Sequence, residues 1–187
     1  MVRKILFYVI IGVLTTTEVW GQEPRSDHFD TALEYVPYAT VFALKACGVE
    51  SQDDWKHLVA TTAASLVVTA GVTAGLKHTV HEWRPDHSDR KSFPSGHAAI
   101  VFTGATVLHH EYGHLSPWIS IGGYAVATFT AADRVLRDRH HWYDVAAGAG
   151  IGFLSTELTY YVASRLFPRR QVNLAFTGTS LDVKVRL

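Results

Sequence analysis

The sequence predicts an all-α fold: a membrane helix bundle of about five helices after a signal sequence, followed by a short C-terminal β-hairpin-like tail. Three observations predict it. Long uncharged runs of helical length recur along the 187 residues. The connectors between them alternate between short and long. The N-terminus carries a basic pair followed by an apolar run. The length suits one domain with a sizeable core. The expected division is a signal peptide or uncleaved anchor over residues 1–21, a helical domain over 22–170 and a tail over 171–187.

The elements follow in order. Arg3 and Lys4 form a basic n-region, and Ile5 to Leu14 is an apolar run in the h-region range, too short to span a bilayer. Val19-Trp20-Gly21 places small residues at the −3 and −1 positions of a cleavage site, and an uncleaved anchor fits the same residues. Tyr35 to Val49 is interrupted only by Lys45, which suggests a helix over roughly 32–49. Leu58 to Leu76 is free of charge and approaches membrane-spanning length, giving a helix over 57–80. Its Ala, Thr, Ser and Gly content suits close helix packing, and Gly71 and Gly75 form a GxxxG, as do Gly148 and Gly152. Ala98 to Leu108 and the uncharged stretch Leu115 to Ala132 give helices over 96–110 and 116–135. Val145 to Phe167, apolar except for Glu157 and Arg165, gives one over 144–167. From Val172 to Leu187, apolar and polar residues alternate on either side of Thr177-Gly178-Thr179, a hairpin pattern.

Composition excludes several classes. The formal net charge is zero, so no global field favours nucleic acid. Cys47 is the single cysteine, which rules out an internal disulfide and a Cys-rich zinc site. Of the eleven histidines, by contrast, nine cluster between His78 and His141.

Topology gathers them. The connectors Lys77–Pro94 and Asp133–Tyr143 are long and polar, whereas those around Glu50–Lys56 and Glu111–Ser116 are short. If successive helices alternate in direction, both long connectors fall at the same end of the bundle. With residue 22 outside the cytoplasm, that end is non-cytoplasmic. Trp83, Trp118 and Trp142 suit an interface belt.

Within the first connector Lys77 and Arg84 are separated by six residues, and Pro85 follows. Next comes Pro94-Ser95-Gly96-His97, a helix start whose free N–H groups suit an anion. The second connector carries Arg134, then His140 and His141, then Asp144. Helical spacing alone lets either histidine meet Asp144.

KHTVHEWRP, PSGH and DRVLRDRHHWYD together resemble the three signature motifs of the type 2 phosphatidic acid phosphatase family, in its membrane branch. The same superfamily holds bacterial class A acid phosphatases and vanadium haloperoxidases. The motifs run from Lys77 to Asp144. The resemblance implies a lipid phosphate phosphatase. Lys77, Arg84, Ser95, Gly96 and Arg134 would bind phosphate. His140 would be the nucleophile, Asp144 would orient it, and His97 would be the general acid. It implies no metal and no cofactor, and no obligate protein partner is evident. The implied partners are a phosphorylated membrane lipid and the bilayer. The implied location is the bacterial cell envelope, in the inner membrane rather than the outer, with the site facing the periplasm. The physical logic agrees: phosphoryl transfer is mostly positioning and charge stabilisation, which three cations can supply. One position departs from the family pattern. Asp133 stands where the family has Ser, and an anion there is unfavourable unless Arg134 or Arg137 pairs with it.

Other readings are open to test. The same motifs suit a soluble periplasmic acid phosphatase acting on small phosphomonoesters. His110-Glu111-x-x-His114, with Glu157 downstream, matches the HExxH pattern of a zinc peptidase, although Gly113 and Ser116-Pro117 make continued helical register doubtful. A non-catalytic membrane protein with a degenerate site is the non-enzyme alternative.

Overall fold

The computed structural model describes residues 27–167, 171–176 and 181–186; the expected signal segment, 1–21, lies outside the described residues. It holds five helices: α1 (Asp27–Ala46), α2 (Trp55–Thr79), α3 (Gly96–Tyr112), α4 (Pro117–Leu136) and α5 (Trp142–Leu166). Two strands, β1 (Gln171–Phe176) and β2 (Leu181–Arg186), pair antiparallel with Gln171 opposite Arg186. The expected turn residues between them lie outside the described residues.

The helix ends have local causes. Asp54 caps α2 by accepting the His57 N–H at 3.1 Å. Ser95 caps α3 and Ser116 caps α4, with Pro117 in the first turn. The Asp144 carboxylate accepts the N–H of His141 at 2.9 Å and caps α5. Gly113 ends α3, where a Cβ would crowd the His109 carbonyl oxygen.

The core is centred on α3, which packs against each of the other four helices. Its tightest partner is α5. A Cβ at Gly148 would overlap the Ser95 carbonyl, and one at Gly152 the Ala99 carbonyl, so this GxxxG sets a close backbone approach. At the other pair, Gly71 and Gly75, a Cβ would meet nothing within 4 Å among the described residues. An apolar cluster of Val41, Leu44, Leu58, Val107, Leu108, Tyr112 and Tyr160 fills the end away from the long connectors.

The helix faces are sorted in an unusual way. On α2, Thr61, Ser65, Thr69 and Thr73 are buried, whereas Val59, Val67 and Val72 are exposed, Val67 by 71%. On α5, Ser155 and Thr156 are buried, while Leu154, Leu158, Tyr161 and Leu166 are exposed. On these two helices several small polar residues face inward and several large apolar ones outward, beside the buried Leu58 and Tyr160. Among the described residues, α2 is the one helix long and apolar enough by length and composition to cross a membrane.

Candidate active site

Both long connectors do meet at one end, beside the N-terminus of α3. The Ser95 N–H donates to the Asp144 carbonyl at 3.0 Å, tying the start of α3 to the start of α5. The Arg139 and His140 N–H groups both donate to the Arg134 carbonyl, at 3.1 and 3.3 Å, which folds the second connector back over the end of α4.

Around this junction stand all eight residues expected from the sequence. Lys77, in the last turn of α2, is half-buried; its Nζ donates to the Lys91 carbonyl at 2.8 Å, and its stem lies against Gly96. Arg84 is fixed on two sides. Its Nε donates to Asp89 at 2.9 Å and its Nη1 to the Arg139 carbonyl at 3.2 Å, so one guanidinium joins the two connectors. Arg134, in the last turn of α4, is buried. Ser95 is buried and its Oγ accepts the Ala98 N–H at 3.4 Å, which leaves its own hydroxyl proton to donate elsewhere. Gly96 and His97 begin α3. His140 is 2% exposed, and Asp144 is fully buried in the first turn of α5.

The electrostatics favour a neutral His140. Burial, reinforced by the positive charges of Arg84, Lys77 and Arg134, pushes its imidazole down to about 4, against the opposing pull of Asp144. A neutral imidazole is a nucleophile; an imidazolium is not. Asp89 is held below the usual carboxylate range by the Lys91 N–H and by Arg84, which outweigh its desolvation.

Asp144 serves both histidines. Its Oδ2 lies 3.7 Å from His140 Nδ1 and 3.3 Å from His141 Nδ1. Proximity to the carboxylate therefore favours His141, but surroundings favour His140. His141 is 32% exposed, caps α5 and stacks on Tyr143 with ring centroids 5.0 Å apart. His140 is buried among three cations. Its Nδ1 and Asp144 Oδ1 are buried without a hydrogen-bond partner.

Two neighbours were not legible in the motifs. The Ser92 hydroxyl donates to Asp144 Oδ2. Glu34, buried on α1, places Oε2 3.5 Å from His97 Nε2. Asp133 meets the condition set for it, with a carboxylate oxygen 3.7 Å from Arg137 Nη1. Glu82, His141 and Asp144 each offer one ligand atom within 4.8 Å of the others, the geometry of a cation site. Their bonds are to protein, however: Glu82 accepts from Tyr143, and Asp144 from Ser92 and His141.

The HExxH segment is built differently from a zinc site. The helix ends at Tyr112, so His114 lies beyond it, in the exposed turn after Gly113. Glu111 is fully buried; it accepts the Asp53 N–H at 3.0 Å and the Tyr160 hydroxyl at 2.8 Å. His110 bonds Glu157 at 2.9 Å and stacks on Tyr160 at 4.1 Å. The helix ends between the two histidines a zincin would pair, and the glutamate that would act as base is bonded to the Asp53 N–H and the Tyr160 hydroxyl.

The family model described as the PAP2 superfamily matches residues 55–168. The chain is 34% identical over 139 residues to the lipid A 1-phosphatase of Porphyromonas gingivalis, an alignment covering 74% of this chain and 31% of that protein. It is 36% identical over 91 residues to "Probable lipid phosphate phosphatase beta" of Arabidopsis thaliana, covering 36% of this chain and 43% of that one. The chain thus spans less than half the length of either relative. Its fold is similar to the crystal structure of Aquifex aeolicus LpxE, with a TM-score of 0.57 and 24% identity, over 75% of this chain and 88% of that one.

Proposed function

The chain belongs to the PAP2 superfamily, and on that premise we propose that it is a phosphatase of a membrane lipid phosphate or pyrophosphate, working through a phosphohistidine. The observation that carries this reading is the convergence of Lys77, Arg84 and Arg134 on a buried, neutral His140. Cations so close together repel, and a bound phosphate dianion offsets that repulsion. Opposite charges at contact are worth roughly 4 kcal/mol at an effective dielectric near 20.

The geometry supports a sequence of steps. Lys77, Arg84, Arg134, the Ser95 hydroxyl and the Gly96 N–H hold the phosphoryl oxygens. Asp144 faces His140 Nδ1, so Nε2 attacks phosphorus. As the P–N bond forms and the ester P–O bond breaks, His97 gives its proton to the departing alkoxide, a contribution of about 10²–10⁴-fold for a general acid. Neutral His97 then takes a proton from water, whose oxygen attacks phosphorus. The P–N bond breaks and inorganic phosphate leaves.

The outward apolar faces of α2 and α5 support a membrane-integrated bundle, with the site at the non-cytoplasmic end and a lipid as substrate. Exposed Trp83 and Trp142 near that end suit the headgroup level. The relatives' names, lipid A 1-phosphatase and lipid phosphate phosphatase, point to the same substrate class. The test is phosphate release by purified protein from a panel of lipid monophosphates and pyrophosphates, with and without chelator. Release from at least one, unaffected by chelator, is expected; release from none overturns the reading. If the protein is instead extracted without detergent and acts only on small phosphomonoesters, the membrane placement fails and the chemistry stands.

A further inference from the structure

Between α2 and α5, at the end away from the candidate site, the surface holds a groove of about 560 Å³. Its walls are Ala60, Ala64 and Val68 on α2 and Leu158, Val162 and Leu166 on α5. Each set recurs every fourth residue, so each helix gives one stripe to the groove. Two threonines also line it, and both hydroxyls are turned back on their own helices. Thr61 donates to the His57 carbonyl at 2.7 Å and Thr159 to the Ser155 carbonyl at 2.8 Å. Along its length the groove therefore offers apolar contact, and a polar ligand would lose water there without recovering its hydrogen bonds.

Its mouth is different. Lys56, His57 and Phe167 line that end, with the rings of His57 and Phe167 6.4 Å apart. The neighbouring acid, Asp54, is engaged with His57. Lys56 is exposed and has no carboxylate partner among the described residues, and exposed Trp55 stands beside it, as residues at headgroup level do. An apolar groove with a cation at its mouth complements a molecule with an anionic head and a hydrocarbon tail.

Dimensions narrow the choice. Lys56 and Lys77 mark the two ends of α2, about 31 Å apart along the helix, close to the roughly 30 Å of a bilayer's hydrocarbon core. From Lys56 to Val68 the groove runs about 18 Å, which is the depth of one leaflet. That leaflet is the one opposite the candidate site, so the occupant is not the lipid whose phosphate lies at Lys77. A helix of the same length and about 10 Å across fills roughly 1,400 Å³, more than twice the groove. A helix of a second copy would thus bridge the groove, whereas a flexible chain can follow it.

We propose that this groove holds an acyl chain of an anionic phospholipid from the leaflet opposite the site, with Lys56 at the lipid phosphate. The inference rests on the membrane placement above. The bound lipid is not turned over; it fills the gap between α2 and α5 and covers their apolar stripes.

The test is photolabelling of the full chain in phosphatidylcholine vesicles. A trace of phosphatidylglycerol or of phosphatidylcholine, each carrying a diazirine on one acyl chain, is added at equal mole fraction, and labelled peptides are mapped after illumination. Label from phosphatidylglycerol should concentrate on the groove residues of α2 and α5, about fivefold above label from phosphatidylcholine, the preference expected from one lysine near the membrane surface. Ala64→Phe, at an exposed position that fills the groove, should reduce groove labelling to the level of the other exposed apolar residues. Lys56→Gln should bring phosphatidylglycerol down to phosphatidylcholine. Label spread evenly over the exposed faces, an unlabelled groove, equal labelling by the two lipids in wild type, or variants that label like wild type each overturn the proposal. An unlabelled groove would assign it to a second copy or to another segment of the chain. If Ala64→Phe does not fold, Lys56→Gln decides the matter through the lost preference. A wild type that is extracted without detergent and does not enter the vesicles overturns the membrane placement itself, a result seen before any light is applied.

Discussion

The two ends of α3 carry similar residues and do different things with them. At its C-terminal end Glu111, His110, Glu157, Tyr160 and Asp53 form a closed set in which a carboxylate meets a hydroxyl or N–H, a histidine meets a carboxylate, and one ring stacks on another. At its N-terminal end charges of one sign gather around His140, and two buried polar atoms, His140 Nδ1 and Asp144 Oδ1, have no hydrogen-bond partner. Histidines and carboxylates thus occur in a clamp and in a site alike. Like-charge convergence and incomplete satisfaction distinguish them, because a protein gains nothing in stability from either.

Substitutions sharpen the contrast. The largest effect on turnover belongs to the cationic end: His140→Ala should abolish phosphate release while leaving the fold intact, and His141→Ala should only weaken it. A reversal in steady-state assays would transfer the nucleophile to the histidine nearer Asp144. Next, Glu111→Ala should lower the thermal unfolding midpoint by an amount corresponding to about 2–4 kcal/mol, since it strands the Asp53 N–H and the Tyr160 hydroxyl. The kcat of the protein that remains folded should be unchanged. If Glu111→Ala keeps its stability and loses activity, the two ends are not separate in function. Ser92→Ala removes one bond from Asp144 and should cost about 1–2 kcal/mol of transition-state stabilisation, seen in kcat rather than KM.

The smallest effect is on pH dependence. His140 is held down to about 4, so it keeps its lone pair until pH falls through that value, and its acid limb in kcat/KM lies there. Removing a nearby positive charge with Arg84→Gln should move that limb upward, toward the ordinary histidine value. A limb that stays in place would show that burial alone sets it.

Much of the bundle was legible because charge-free runs and polar connectors are local properties. The five expected spans agree with the helices to within a few residues, and the alternation of short and long links placed the motifs at one end. The equivalence of the two GxxxG pairs was not resolvable in the same way. Gly148 and Gly152 meet α3, while a Cβ at Gly71 or Gly75 would meet nothing within 4 Å among the described residues, and only the orientation of α2 decides that. The gathering of the eight motif residues at one end was legible from spacing and resemblance. Glu34 and Ser92 were not, because each enters from outside its partner's motif. Glu34 did leave a trace: an acid just before the apolar run of α1, once buried, asks for a partner. The bonding of Glu111 was hidden for the opposite reason, since HEYGH resembles a motif whose geometry Gly113 interrupts.

The central claim is that His140, among Lys77, Arg84 and Arg134, carries the phosphoryl group. It is tested most directly by acid-labile label trapping. Purified protein is mixed with ³²P-labelled phosphatidic acid, quenched in alkali within the first turnover, and digested for peptide mapping. A phosphoryl group on His140, stable to alkali, lost in acid and absent from His140→Ala, is the expected result. Label on His141, or full turnover with no labelled histidine at any quench time, would contradict the account.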